Sequence, residues 1–344
     1  MKNSNNQTNL DIRISSDIDN YEYACNNIVV FERILSTYAN AITHQGRKLT
    51  PSTNNKITKN DVTPDLSFEE QTKNSGKYRA VNEIKAWLPN DKSQWFEVIE
   101  QLQSYDDDLT NWQFLGNEQH DIMLTLDPQF TTEFFDYVNE QKIKGTVIDR
   151  SFSIMESSRQ ERAFPRIFVR KNHGKLNHNT LERELNKGIS FLMYNIVRDL
   201  DKVKFYDAHP PTIYTMMQMW DHVFSKFINS REKQQKLDLG QIVPIELTVD
   251  KIYEKLSQLT HDSNPNCIEK KWIRDALNEL KSLGMAEESV TDINKFTIKY
   301  RKHSGDTREF LIKLMKKRDD DKPKPDKNGL DSYIQKNDSQ NSKK

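Results

Sequence analysis

The sequence predicts an α/β protein: a sheet flanked by helices, then a helical segment, then a small C-terminal domain of helices and short strands. Three observations predict it. Apolar residues alternate along the chain between helical spacing and short strand-like runs. The first half orders these as helix, strand, strand, helix, strand, helix, the pattern of an α/β layer structure. The length of 344 residues corresponds to two or three domains at roughly 100–200 residues each.

Taken in order, residues 1–18 are polar and rich in Asn and Ser, and are expected to be disordered. Residues 19–44 carry Ile28, Phe31, Leu35, Tyr38 and Ile42 at helical spacing. Strands are expected at Val62–Phe68 and Tyr78–Leu88, separated by a polar loop containing Asn74, Ser75 and Gly76. A helix follows at Ser93–Tyr105, a buried strand at Asp121–Leu126 and a helix at Thr132–Gln141, closing a domain over 19–148. In 149–240, Ile167 and Val169 alternate with Arg166, Phe168 and Arg170 in a strand, and helices are expected over Leu181–Val203 and Thr212–Asn229. The stripe Ile213, Met216, Met217, Trp220, Val223 and Phe227 reads as a helix packing its own core. Residues 241–303 form the C-terminal domain: a strand (Ile245–Leu247), helices at Val249–Leu259 and Ile268–Leu283, and strands at Met285–Val290 and Phe296–Tyr300. Gly284 ends the second helix as a C-cap glycine. The charged tail, 304–344, is expected to be disordered.

Composition removes several classes. Lys+Arg and Asp+Glu both number 51, so any nucleic-acid contact must come from a local basic surface. Two cysteines, Cys25 and Cys267, exclude a disulfide framework and a self-contained Cys-based metal site. No P-loop or GxGxxG occurs, which argues against ATP and dinucleotide chemistry. The absence of an apolar signal core or a run of about 18 apolar residues predicts a cytoplasmic or nucleoid-associated protein with no membrane partner.

The chemistry concentrates at Thr63-Pro64-Asp65 and Asn82-Glu83-Ile84-Lys85. In a strand Glu83 and Lys85 share a face, roughly 7 Å apart, while Ile84 points to the opposite side. A hairpin loop centred on Asn74 sets residue 65 opposite residue 83, so the Asp65 and Glu83 carboxylates lie side by side. Adjacent carboxylates repel unless a cation holds them, and an oxygen-only site with two acids suits Mg²⁺ or Mn²⁺. The Ile84 carbonyl offers a further ligand. A cation lowers the pKa of bound water, and Lys85 is placed to orient that water and stabilise charge on a phosphate. Together these groups point to phosphodiester hydrolysis.

Pro64-Asp65 with Glu83-Ile84-Lys85 resembles the motif of the PD-(D/E)xK nuclease superfamily, whose fold is restriction-endonuclease-like with a mixed sheet flanked by helices. Gln101 and Tyr105 resemble the QxxxY helix motif of its RecB-like branch. The resemblance covers residues 19–145. It implies a metal-dependent endo- or exonuclease acting on DNA, with Asp65, Glu83 and Ile84 on the metal, Lys85 assisting the water, and Gln101 and Tyr105 bordering the site. It also implies a third acid from the preceding helix, for which Glu32 is the first choice and Glu22 the second.

A candidate nucleic-acid track follows: Arg159, Arg162, Arg166, Arg170, Lys171 and Lys175 stand against one acid, Glu161, with Phe164 and Phe168 interleaved. The element order of 241–303 resembles a winged helix. Over residues 245–300 it holds eight Lys/Arg and ten Asp/Glu, a balance that suits a protein partner as well as DNA. In the tail, Leu330, Tyr333 and Ile334 resemble the spacing of sliding-clamp-binding peptides. Two other readings stand beside the nuclease: a catalytically silent nuclease fold acting as a DNA- or protein-binding adaptor, and the endonuclease subunit of a heteromeric transposase.

Overall fold

The structure, a computed structural model, describes residues 3–46, 49–50, 62–70, 78–106, 109, 120–145, 148–160, 163–193, 210–231, 238–258 and 268–321. Helix α1 spans Asn3–Tyr38. Ile18, Tyr21, Cys25, Ile28, Phe31 and Leu35 recur every three or four residues along it, and all are buried, so one stripe faces the core. Two expectations are corrected here. The segment expected to be disordered, 1–18, is helical from Asn3. At the other end the helix stops at Tyr38, not residue 44, because Asn40 adopts a left-handed φ of 46° and turns the chain. Residues Ala41–Gln45 then form strand β1.

Among the described residues the sheet has seven strands in sequential order. After β1 come β2 (Leu66–Glu70) and β3 (Arg79–Lys85), an antiparallel meander. Helix α2 (Trp95–Ser104) crosses over to β4 (His120–Leu126), which is parallel to β3. Helix α3 (Pro128–Ile143) crosses over to β5 (Phe152–Gln160), parallel to β4. Parallel neighbours need such crossovers, whereas hairpins serve the rest. β6 (Arg166–Gly174) pairs antiparallel with β5. After α4 (Asn179–Lys187), β7 (Ile189–Leu192) closes the sheet against β6. The sheet therefore runs across the domain boundary expected near residue 148. The helix expected over 181–203 is also cut short. Gly188 has φ 83°, and a Cβ there would lie 2.3 Å from the Phe168 ring, so the chain leaves the helix and returns as a strand.

The two faces of the sheet divide by strand period. Val81, Ile122, Leu124, Leu126 and Ile154 pack with Trp95, Val98, Ile99, Leu102 and Phe134 of α2 and α3. Leu66, Phe68, Ala80, Ile84, Met123 and Met155 pack on the opposite face with α1 and with the helices that follow the sheet. Each fully buried large apolar side chain contributes about 1.5–3 kcal/mol from leaving water.

The helices that follow are α5 (Thr212–Gln218), a π-helical stretch (Met219–Phe224) and α6 (Ser225–Arg231). They lead to β8 (Ile242–Thr248), α7 (Val249–Ser257), α8 (Lys270–Ser282), β9 (Ala286–Glu288) and β10 (Lys295–Arg301). The strands pair antiparallel in the order β8-β10-β9. Thr248 caps α7, its hydroxyl accepting from the Lys251 N–H at 3.2 Å. Gly284, with φ 71°, ends α8 while the Met285 N–H returns to the Leu280 carbonyl. A last helix, α9 (Thr307–Asp321), replaces the disorder expected there, since Phe310 and Leu311 pack on the same core. Trp220 stacks on Tyr300 at 5.2 Å and meets Phe310 at 5.3 Å, which ties the π-helical stretch to the C-terminal elements.

Candidate functional site

The site begins with the register of one hairpin. Leu66 pairs with Asn82 and Ser67 with Val81. One step further sets Asp65, in the bend before β2, beside Glu83. Asp65 is fastened there: its Oδ2 accepts from the Ile84 N–H at 2.7 Å. A backbone donor of the strand that carries Glu83 and Lys85 thus orients the aspartate.

Glu83 is 2% exposed, a rare setting for a carboxylate without partners. Its Oε1 meets the Lys85 Nζ at 2.6 Å, and its Oε2 accepts from the Tyr105 hydroxyl at 2.8 Å. The Tyr105 oxygen in turn accepts from Gln101 Nε2 at 3.0 Å. Gln101 and Tyr105 are four residues apart at the end of α2, one helical turn, so both reach the same point. Burial, and then the adjacent Glu83 charge, push the Tyr105 phenol well above its ordinary range. Tyr105 therefore keeps its proton and acts as a permanent donor to Glu83. The Lys85 side chain is about one-third exposed.

A cavity of about 670 Å³ gathers these groups: Asp65, Glu83, Ile84, Lys85 and Gln101 line it. Trp87, half exposed, stands at its edge. The remaining wall comes from α1 through Asp17, Asn20, Tyr21 and Ala24, and from Pro211. Hairpin, α2 and α1 thus converge on one hollow.

The acid expected from α1 stands away from this cavity. Glu32 faces β1, where it accepts from the Thr43 hydroxyl at 3.3 Å, and does not line this cavity. Glu22 lines a separate hollow of about 200 Å³ with Asp19 and Arg159. Among the described residues, the acid of α1 that does line the cavity is Asp17. Its sequence signal was its place in the row 17, 20, 21, 24, hidden because that stretch reads as polar and loose. Among the described residues no three His, Cys, Asp or Glu side chains form a metal-holding group, so the acids drawn together are the pair Asp65 and Glu83.

Two members of the basic track are held by acids of neighbouring elements. Arg170 pairs with Glu156 at 2.7 Å, and Lys171 with Glu182 at 2.9 Å. Arg159 shares its hollow with Asp19 and Glu22. Arg166 is half-buried on β6, Lys175 is exposed, and Arg162 lies outside the described residues. Two of the six cations thus serve local ion pairs. Leu330, Tyr333 and Ile334 also lie outside the described residues. Among the described residues no helix is long and apolar enough to cross a membrane.

Comparison of the chain with protein-family models, curated proteins and solved structures gave no match.

Proposed function

We propose that this chain is a metal-dependent nuclease that hydrolyses phosphodiester bonds in DNA. One observation carries the reading: Asp65, Glu83 and Lys85 line a single cavity, with Asp65 tied to the Ile84 N–H and Glu83 tied to Lys85 and Tyr105. The element order around it, α1, three antiparallel strands, α2 and a parallel strand, agrees with a PD-(D/E)xK core.

The donors suit a hard cation. Asp65, Glu83 and the Ile84 carbonyl offer oxygen only, and Mg²⁺ or Mn²⁺ is content with one or two protein acids because it retains waters. An ionised carboxylate has about four acceptor positions, so the two bonds Glu83 makes leave room for a cation. Bound there, such an ion would acidify a water and screen phosphate charge. The chain supplies the rest. Asp65 and Glu83 are held in fixed orientation by Ile84 and Tyr105. Lys85 brings a positive charge to the oxygen that gains charge as water attacks phosphorus and the P–O bond to the leaving sugar breaks. Gln101 holds the Tyr105 hydroxyl so that its proton faces Glu83.

The strand order β8-β10-β9, with α7 and α8 between β8 and β9, agrees with a winged helix appended to this core. A second reading has specific support. Lys85 meets Glu83 at 2.6 Å, an ion pair that would equally hold the strand of a silent nuclease fold that only binds DNA or protein. A cleavage panel separates the two: DNA and RNA duplexes, flaps and single strands with Mg²⁺ or Mn²⁺, run for the parent and Lys85→Ala. The nuclease reading expects cleavage by the parent alone. Cleavage by neither protein, or equally by both, rejects it, and DNA binding without cleavage favours the adaptor.

A further inference from the structure

A second cavity, of about 520 Å³, opens between the π-helical stretch with α6 and helix α7. His222 and Lys226 line one wall, Lys251, Lys255 and Gln258 the other, and Phe227 lies between them. Among the described residues no carboxylate lines it. Lys251 Nζ sits 4.9 Å from the centre of the Phe227 ring, a cation–π arrangement that orients an ammonium without neutralising it. Lys255 donates to Gln258 at 3.1 Å, and Gln258 donates in turn to Glu254 at 3.2 Å.

The contrast with neighbouring lysines gives this hollow its meaning. Lys270 pairs with Asp250 at 2.7 Å, Lys281 with Glu288 at 2.6 Å, Lys295 with Glu246 at 2.6 Å and Lys299 with Glu287 at 2.5 Å. Among the described residues Lys226, Lys251 and Lys255 form no ion pair. Those four lysines of helix α8 and the strand surface are each held by an acid, whereas the three around the concave site face one another with no acid of their own among the described residues. An array of ammonium groups around an aromatic floor suits phosphate, which lysine binds as a point charge.

The position selects the source of that phosphate. Pro211 lines the cavity of Asp65 and Glu83, and along the helical path that starts after it His222 and Lys226 stand eleven and fifteen residues from Pro211. At about 1.5 Å per residue that is about 16–22 Å. The span matches about five or six nucleotides at about 3.4 Å per step. We infer that the cavity lined by Lys226, Lys251 and Lys255 is a second nucleic-acid site, gripping backbone phosphates about five or six nucleotides from the phosphate held at Asp65 and Glu83. The spacing rests on the nuclease reading; the phosphate-binding site does not.

The test is binding of the full chain to a labelled 20-base-pair DNA duplex in EDTA, across a range of salt. The parent is compared with the triple variant Lys226→Ala/Lys251→Ala/Lys255→Ala and with a control, Lys281→Ala/Lys295→Ala/Lys299→Ala. Loss of three phosphate contacts should make the plot of log affinity against log salt shallower by about 2–3. Binding near physiological salt should weaken at least about tenfold, and the control should bind as the parent does. If the triple variant unfolds early, Lys226→Gln/Lys255→Gln with a parental melting temperature should still flatten the plot, by about 1–2. Parental affinity and slope in a folded variant overturn the inference, as does a parent that binds no DNA. Lysine-dependent stabilisation by inorganic phosphate without lysine-dependent DNA binding would make this a free-anion site and also overturn it. Because this binding test uses no metal, a parent that binds here but never cleaves DNA in the Mg²⁺ or Mn²⁺ panel sinks the nuclease reading alone. Cleavage with an unchanged salt slope sinks this one alone.

Discussion

Replacing Tyr105 by Phe removes one oxygen and tests how Glu83 is held. The phenol donates at 2.8 Å to a carboxylate that is 2% exposed. A hydrogen bond to a charged group is worth about 1.5–3 kcal/mol, and Glu83 would be left with Lys85 as its remaining partner of the two. Tyr105→Phe should therefore lose about 1.5–3 kcal/mol of stability near pH 7. A pH dependence distinguishes this from a simple packing defect. The folded state keeps the Tyr105 proton above the ordinary tyrosine range, because burial and the Glu83 charge oppose ionisation. The unfolded state releases that proton near pH 10. Below about pH 10 the stabilisation is complete; above it the unfolded state binds fewer protons, and stability falls with rising pH by up to about 1.4 kcal/mol per unit for this one group. The Phe variant lacks that component, so its decline between about pH 10 and 11 should be shallower by about that amount. Tyr23 and Tyr78, also raised by burial, remain in both proteins and cancel in the difference. Urea unfolding across pH 7–11 reads both effects. Parental stability at neutral pH with a parental alkaline slope would refute the Tyr105–Glu83 bond.

Other outcomes follow from the same structure. Asp65→Asn retains an oxygen to accept from the Ile84 N–H; unfolding should shift by less than about 0.5 kcal/mol while metal-dependent cleavage falls at least about 10²-fold. Gly188→Ala puts a Cβ against the Phe168 ring at φ 83° and should cost about 1–3 kcal/mol in urea unfolding; a parental midpoint would contradict the packing of α4 on β6. Trp220→Ala should destabilise by about 3–5 kcal/mol and lower one shared transition, because Trp220 contacts Tyr300 and Phe310 within the core that also holds α1. Separate calorimetric transitions for the sheet and the C-terminal elements would contradict that shared core.

The sequence showed most clearly where period and spacing act locally. The hairpin centre on Asn74 followed from the separation of two motifs, and the observed pairing of Leu66 with Asn82 has that centre. The helix carrying Gln101 and Tyr105 followed from its apolar stripe, and their joint approach to Glu83 follows from a four-residue separation. What was missed depends on distant parts of the chain. β1 holds Ile42 at a spacing that also extends α1, and only Asn40 and pairing with β2 decide for a strand. Glu32 and Asp17 both lie on α1, but which faces the cavity depends on how the helix crosses the sheet, which its own periodicity does not encode. The charges of Arg170 and Lys171 looked available in the sequence because their partners, Glu156 and Glu182, come from other elements.

The central claim is that Asp65 and Glu83 together hold a divalent cation beside Lys85. Mn²⁺ titration followed by electron paramagnetic resonance, with duplex DNA present, measures this directly. The parent should remove about one Mn²⁺ per chain from solution, as a single two-carboxylate site requires, and Asp65→Asn and Glu83→Gln should each abolish that uptake while remaining folded. Equal uptake by parent and variants, or none by a parent that binds the DNA, would contradict it.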